Sequence, residues 1–198
     1  MKKLLFLLLP FLLFANQNIL ALSWQKSFCK LHHYPECRYS KNYDYFTIHG
    51  LWPKKQNCAG IKKFRLPKPL WQNLKHYMPS TKLIHHEWQK HGRCYSKDPI
   101  VYFSDALYLT QTINNSKILE FFQQHEGDII TKQALNRVIN SIYPHTARKV
   151  KIICQKGYVV ELRFSLNGNV NNNNNSFYNL LKNAKPLRGS CEKGRIAK

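Results

Sequence analysis

Two apolar spacings alternate along this chain and divide it into strands and helices. Residues 18–24, NILALSW, form a strand candidate, followed by a loop that carries Cys29 and Cys37. YDYFTIHGLWP, residues 43–53, reads as a second strand, and Pro53 must end it because proline cannot donate to a ladder. Residues 54–68 form a basic loop containing Cys58. Pro69 suits the first turn of a helix in which Leu70, Trp71, Leu74 and Met78 recur at helical spacing. LIHHEWQKHGRC, residues 83–94, predicts another helix, ended by Gly92. Helical periods return at 99–113, 117–125 and 132–143, the last through Leu135, Val138, Ile139 and Ile142.

The period then drops to two. KVKIICQ and YVVELRFSL, on either side of Lys156-Gly157, read as a β-hairpin. The asparagine run 171–175 reads as a solvated, low-complexity loop. No repeat is visible, and helices mix with strands without a βαβ rhythm, so the predicted class is α+β. At 198 residues the chain has room for one domain with a sizeable core and too little for two.

Charge changes the picture most. Lys and Arg number 31 against 10 Asp and Glu, a formal net charge of +21. Such an excess draws polyanions, nucleic acid and anionic membrane being the obvious candidates. The N-terminus adds a destination: Lys2 and Lys3 precede the apolar run LLFLLLPFLLFA, which reads as a secretory signal rather than a retained anchor. No later segment is long enough to span a bilayer. Cleavage after Ala15 is favoured over Ala21, because Ile19, Ala21 and Phe28 look like part of a buried strand. The expectation is an exported monomer of residues 16–198 with no stable membrane anchor, periplasmic or extracellular and still strongly basic. Six cysteines in an exported chain point to three disulfides, with fifteen pairings open. No CxxC pair is present to build a zinc finger or ribbon.

Residues 86–91, HEWQKH, nearly spell a zinc-protease signature. A zincin needs histidines four apart on one helix face, but here the fifth position is Lys90 and the second histidine comes at His91. At about 100° per residue, His86 and His91 point about 140° apart, with a lysine ammonium between them. Zinc fits this poorly. A proton-transfer site fits better. His86, Lys90, Glu87 and His91 share one sector of the helix, and Glu87 and His91 are i,i+4 neighbours. A proton carrier beside a fixed cation suits a dianionic phosphorane. The complementary acid or base is His49 in FTIHGLWP, at a strand end before Gly50. Two histidines titrating near neutrality can hold opposite protonation states.

In FTIHGLWP and HEWQKHGRC the sequence resembles the ribonuclease T2 family of secreted endoribonucleases. The likeness extends more thinly to LALSWQKSFC and the late cysteines. It implies an α+β fold with a central antiparallel sheet flanked by helices, no metal and no cofactor, acting on single-stranded RNA. It also implies that His91 takes the proton from a ribose 2′-OH and His49 protonates the departing 5′-oxygen. Glu87 and Lys90 would stabilise the pentacoordinate state, His86 would hold the phosphate, and Trp52 would stack on a base. The family pattern proposes disulfides Cys58–Cys94 and Cys154–Cys191, leaving Cys29–Cys37. Two positions depart from the pattern. Lys54 stands where an acidic residue often helps to recognise the base, so base preference does not carry over. Arg93 replaces a small residue and is either an added phosphate contact or a helix-end cation. The rival reading from another class is a cationic protein that binds membranes or nucleic acid without turnover.

Overall fold

The structure is a computed structural model and describes residues 17–170 and 176–198. The signal-peptide assignment at 1–15 and the asparagine loop at 171–175 lie outside the described residues. The chain opens with β1 (Gln17–Trp24) and α1 (Gln25–Leu31), then a 3-10 segment (Pro35–Asn42) and β2 (Phe46–Pro53). Next come α2 (Lys68–Tyr77), α3 (Thr81–Glu87), a π turn (Trp88–Gly92) and α4 (Arg93–Tyr95). Helices α5 (Pro99–Asn114) and α6 (Lys117–Gln124) precede β3 (Ile129–Thr131) and α7 (Lys132–Ile142). The hairpin β4 (Val150–Gln155) and β5 (Tyr158–Asn167) is followed by α8 (Phe177–Lys182) and β6 (Lys193–Arg195).

The sheet runs β2-β1-β5-β6-β3, with β4 on β5. Its pairs are antiparallel except for a single parallel bridge, Tyr158 to Arg195, between β5 and β6. Alternation sorts the two faces. Leu20, Leu22 and Trp24 of β1 lie opposite Leu51, Ile48 and Phe46 of β2, and all six are buried. Leu162, Phe164 and Leu166 of β5 continue that face into a core with α5, α6, α7 and α8. The opposite face carries Ala21 and Ser23, then Thr47 and Gly50, then Glu161, Arg163 and Ser165 in register. A sheet with one apolar and one polar face presents its chemistry on the second.

Several expectations need correction. Phe28 is not in a strand: it lies in α1, stacked on Tyr34 at 5.8 Å. The chain turns into α1 because Gln25 bonds Thr47 of β2 and Ser27 accepts from Ala197, contacts distant in sequence. Strand β2 begins at Phe46, whose backbone N–H and C=O are both engaged by the Asn114 side chain. The central sheet is antiparallel as expected, apart from the single parallel bridge between β5 and β6. The helix at 83–94 does not stop at Gly92 but continues through a π turn to Tyr95. Gly92 holds the helical path open, since a Cβ there would lie 2.4 Å from the Trp88 ring and 2.9 Å from Tyr102. The six cysteines form Cys29–Cys37, Cys58–Cys94 and Cys154–Cys191, the pairing the resemblance implies.

Candidate active site

His49 stands on β2 because the strand bulges there. Ala21 pairs with Gly50 and Leu22 with Ile48, so His49 is the extra residue between them. A bulge of this kind re-aims a side chain out of the regular alternation. The His49 side chain is 40% exposed, and its Nδ1 lies 2.5 Å from Glu161 Oε2. Glu161 is buried on β5, and its other oxygen is bonded by Arg163. Burial works to raise the Glu161 pKa, but the hydrogen bond and charge of His49, together with Arg163, outweigh it and hold the carboxyl below its ordinary range. Arg163 also places its guanidinium 4.9 Å from the centre of the Trp52 ring.

The second half of the site lies on α3 and its π turn, packed against β2. Ser80 caps α3 by accepting from the Leu83 N–H at 3.4 Å. Arg93 N–H then bonds to Trp88 O, five residues back, which defines the π turn. π-helical turns occur mostly as single insertions, often at functional sites. Glu87 is 2% exposed, and its Oε2 accepts from the Trp52 indole N–H at 2.8 Å. Gly50 makes this contact possible, because a Cβ there would lie 2.1 Å from Glu87 Oε2 and 2.2 Å from Trp52 Nε1. Burial pushes the Glu87 carboxyl up to about 7, against the opposing effects of Trp52, His49 and Lys90.

His91 is 4% exposed, and its Nδ1 is buried without a hydrogen-bond partner. Burial first, then the charges of Lys90, His86 and His49, lower its pKa to about 4. Trp52 sits between the imidazoles, edge-on to His49 at 5.0 Å and tilted to His91 at 5.7 Å between ring centroids. It is half-buried, with its N–H committed to Glu87, so it ties β2 to the helix. His86 is exposed and Lys90 half-exposed. The basic loop is pinned beside them by Cys58–Cys94, by Asn57 N–H to Lys90 O at 2.8 Å and by Trp88 Nε1–H to Ile61 O at 2.9 Å. Arg93 donates to Gln89 O and Gly60 O, acting as a strut between helix and loop. Lys54 is exposed.

The fold therefore gathers His49, Glu87 and His91 around Trp52, with the charge of Lys90 close enough to act on Glu87 and His91. It adds two residues that sequence reasoning missed, Glu161 and Arg163. The available signal was their position: ELRFS places charges at alternate positions of a strand that is otherwise apolar. Among the described residues, no group of three or more His, Cys, Asp or Glu side chains is arranged to hold a metal ion.

Fold and site together define a disulfide-braced α+β protein with two histidines in contrasting surroundings beside a cation. The chain belongs to the ribonuclease T2 family, whose model matches residues 15–179, and is an endoribonuclease of that type. It is 25% identical to ribonuclease I of Escherichia coli (strain K12) over 227 residues, 90% of this chain and 84% of that protein. Its identity to ribonuclease DdI of Dictyostelium discoideum is 29% over 163 residues, 74% of this chain and 69% of that one. Among solved structures, the self-incompatibility-associated SF11-RNase of Nicotiana alata superposes with a TM-score of 0.69 at 22% identity, covering 93% of this chain and all of that one. RNase NT, solved with 5′-AMP, gives a TM-score of 0.62 at 20% identity, with coverage of 92% and 98%. These structures share the fold.

Proposed function

We propose that this protein cleaves single-stranded RNA by transphosphorylation through a 2′,3′-cyclic phosphate, with His91 as general base and His49 as general acid. The observation that carries the assignment is the contrast between the two imidazoles. His91 is buried, with its pKa lowered to about 4, so it is unprotonated and ready to accept over the acidic-to-neutral range. His49 is half-exposed, and its Nδ1 lies 2.5 Å from the buried carboxylate of Glu161. Environments that push two titratable groups apart set their acid and base roles.

In the first step His91 takes the 2′-OH proton, the 2′-oxygen bonds to phosphorus, and the bond from phosphorus to the 5′-oxygen breaks as His49 protonates it. Water then opens the cyclic ester with the two roles reversed. Glu87, held largely neutral below pH 7 by burial, donates to a non-bridging oxygen, while Lys90 supplies positive charge and His86 holds the phosphate. DNA is inert because it lacks the 2′-hydroxyl nucleophile. Arg93 is already bonded to two carbonyls, which favours the helix-end role over a phosphate contact. We further propose export of residues 16–198 as a monomeric domain. Ala21 lies fully buried in mid-β1, between Gly50 and Arg163, so a cut after Ala15 spares the central strand while a cut after Ala21 would destroy it.

The test is an RNA oligonucleotide and its DNA counterpart, incubated with oxidised protein in excess chelator, with product ends read by mass spectrometry. Cyclic phosphate ends from RNA alone are expected. Products bearing 3′-hydroxyl and 5′-phosphate ends, or loss of cleavage on chelation, would overturn the mechanism.

A further inference from the structure

Apart from that site lies a second candidate, a cleft of about 440 Å³ lined by Lys62, Lys63, Phe64, Arg65, His85 and Gln89. Three cations and no carboxylate face it, and Lys62, Lys63 and Arg65 form none of the ion pairs found among the described residues. Its wall is anchored rather than loose. Phe64 packs 5.6 Å from Trp88 and 5.4 Å from Phe103 between ring centroids, and Trp88 holds the Ile61 carbonyl next to the lysines. The disulfide Cys58–Cys94 ties the same loop to the end of the helix. The His85 ring, exposed and 5.2 Å from Phe64, offers an aromatic surface at the rim.

The helix relates this cleft to the reaction centre through three neighbouring i,i+4 pairs. His85 and Gln89 face the second cleft, His86 and Lys90 form a cationic ridge, and Glu87 and His91 are buried in the site. At about 100° per step by regular helix geometry, the first and third pairs lie about 200° apart, roughly 19 Å of arc over the ridge on a helix 10–12 Å across. A dinucleotide at the scissile phosphate does not span that arc; a longer strand crossing the ridge does.

We propose that the second cleft is a distal subsite for the substrate strand, binding RNA backbone phosphates through Lys62, Lys63 and Arg65 and a base against His85. This deepens the RNA-cleavage reading and rests on it. The test compares wild type with Lys62→Gln/Lys63→Gln/Arg65→Gln. A control of equal charge change, Lys182→Gln/Lys185→Gln/Arg188→Gln, alters α8 and the chain after it, where Phe177 packs on Phe164 of the core face. Affinity for a 12-nucleotide 2′-deoxy strand, which resists cleavage, is measured against salt, and cleavage of an RNA dinucleotide is measured in parallel. The cleft variant should flatten the log–log salt slope by about 2, since each single-strand phosphate contact contributes about 0.7. Dinucleotide turnover should be unchanged. An unchanged slope, an equal effect of the control, or an equal loss on the dinucleotide overturns the subsite. A wild-type protein that leaves the dinucleotide uncut would instead overturn the catalytic reading, while the binding comparison still judges the cleft.

A separate observation concerns Glu161. It accepts at 2.5 Å on the Nδ1 side of His49, is fixed on its other oxygen by Arg163, and lies on a rigid central strand. We infer that Glu161 is a positioning residue for His49, holding Nδ1–H so that Nε2 faces the phosphate and keeping the remaining proton on Nδ1 once Nε2 has given up its own. An amide in its place can donate instead of accept and so select the opposite tautomer. Glu161→Gln should lower kcat by at least about tenfold with KM little changed. Glu161→Asp should recover part of the loss. Unchanged kcat, a loss carried by KM, or a loss explained by a collapsed Tm overturns the assignment.

Discussion

Replacing His91 or His49 by alanine is expected to reduce kcat/KM on RNA by about 10²–10⁴-fold, the usual contribution of a positioned proton-transfer group. Melting temperature and RNA affinity should change far less, because neither ring carries much of the apolar core. In the unsubstituted protein, log kcat/KM should rise with pH through about 4, as His91 loses its proton. An ordinary, solvated histidine would place the rising limb near 6.5 instead. A rising limb there would show that the buried imidazole is not the base. Retention of more than a tenth of the activity in either variant would dismantle the two-histidine mechanism.

The largest stability effect is expected at Glu87. Its carboxyl, ordinarily near 4.5, is held at about 7 in the folded chain. The folded state thus binds the proton more tightly than the unfolded state. The associated stabilisation is fully present below pH 4.5 and is lost as pH rises through about 7. Above that pH, an ionised Glu87 costs about 3 kcal/mol at 1.36 kcal/mol per unit. Glu87→Gln, neutral throughout and still able to accept from Trp52, should be about 3 kcal/mol more stable than the parent at pH 8 and little different at pH 4. Denaturant unfolding at the two values checks this, and an equal gain at both would refute it. Glu87→Ala, which leaves no donor, should cost about 10²–10³ in kcat. Carrying this carboxyl in a buried site therefore sacrifices stability at neutral pH for transition-state contact.

Helices α2, α5, α6 and α7 were legible because their apolar residues recur locally, and the hairpin β4–β5 because its period is two over a long run. Helix α1 was not legible, since its seven residues owe their shape to Thr47 and Ala197, far away in sequence. Strands β3 and β6 are three residues each and exist by pairing with each other. At the site, the two segments bearing His49 and His86–His91 could be recognised from their residue types and order. Glu161 could not, because a lone carboxylate in a strand declares no partner.

The sequence by itself determined the chemical inventory: two histidines, a carboxylate and a lysine in two short segments, six cysteines, and an excess of cations. It also determined most of the helices, whose periodicity is local. Only the tertiary structure decided how that inventory works. The bulge that projects His49, the π turn that carries His91, and the register that places Glu161 behind His49 all depend on contacts between distant residues. So do the opposed surroundings of the two imidazoles, because burial and charge belong to a packed assembly rather than to any segment of chain.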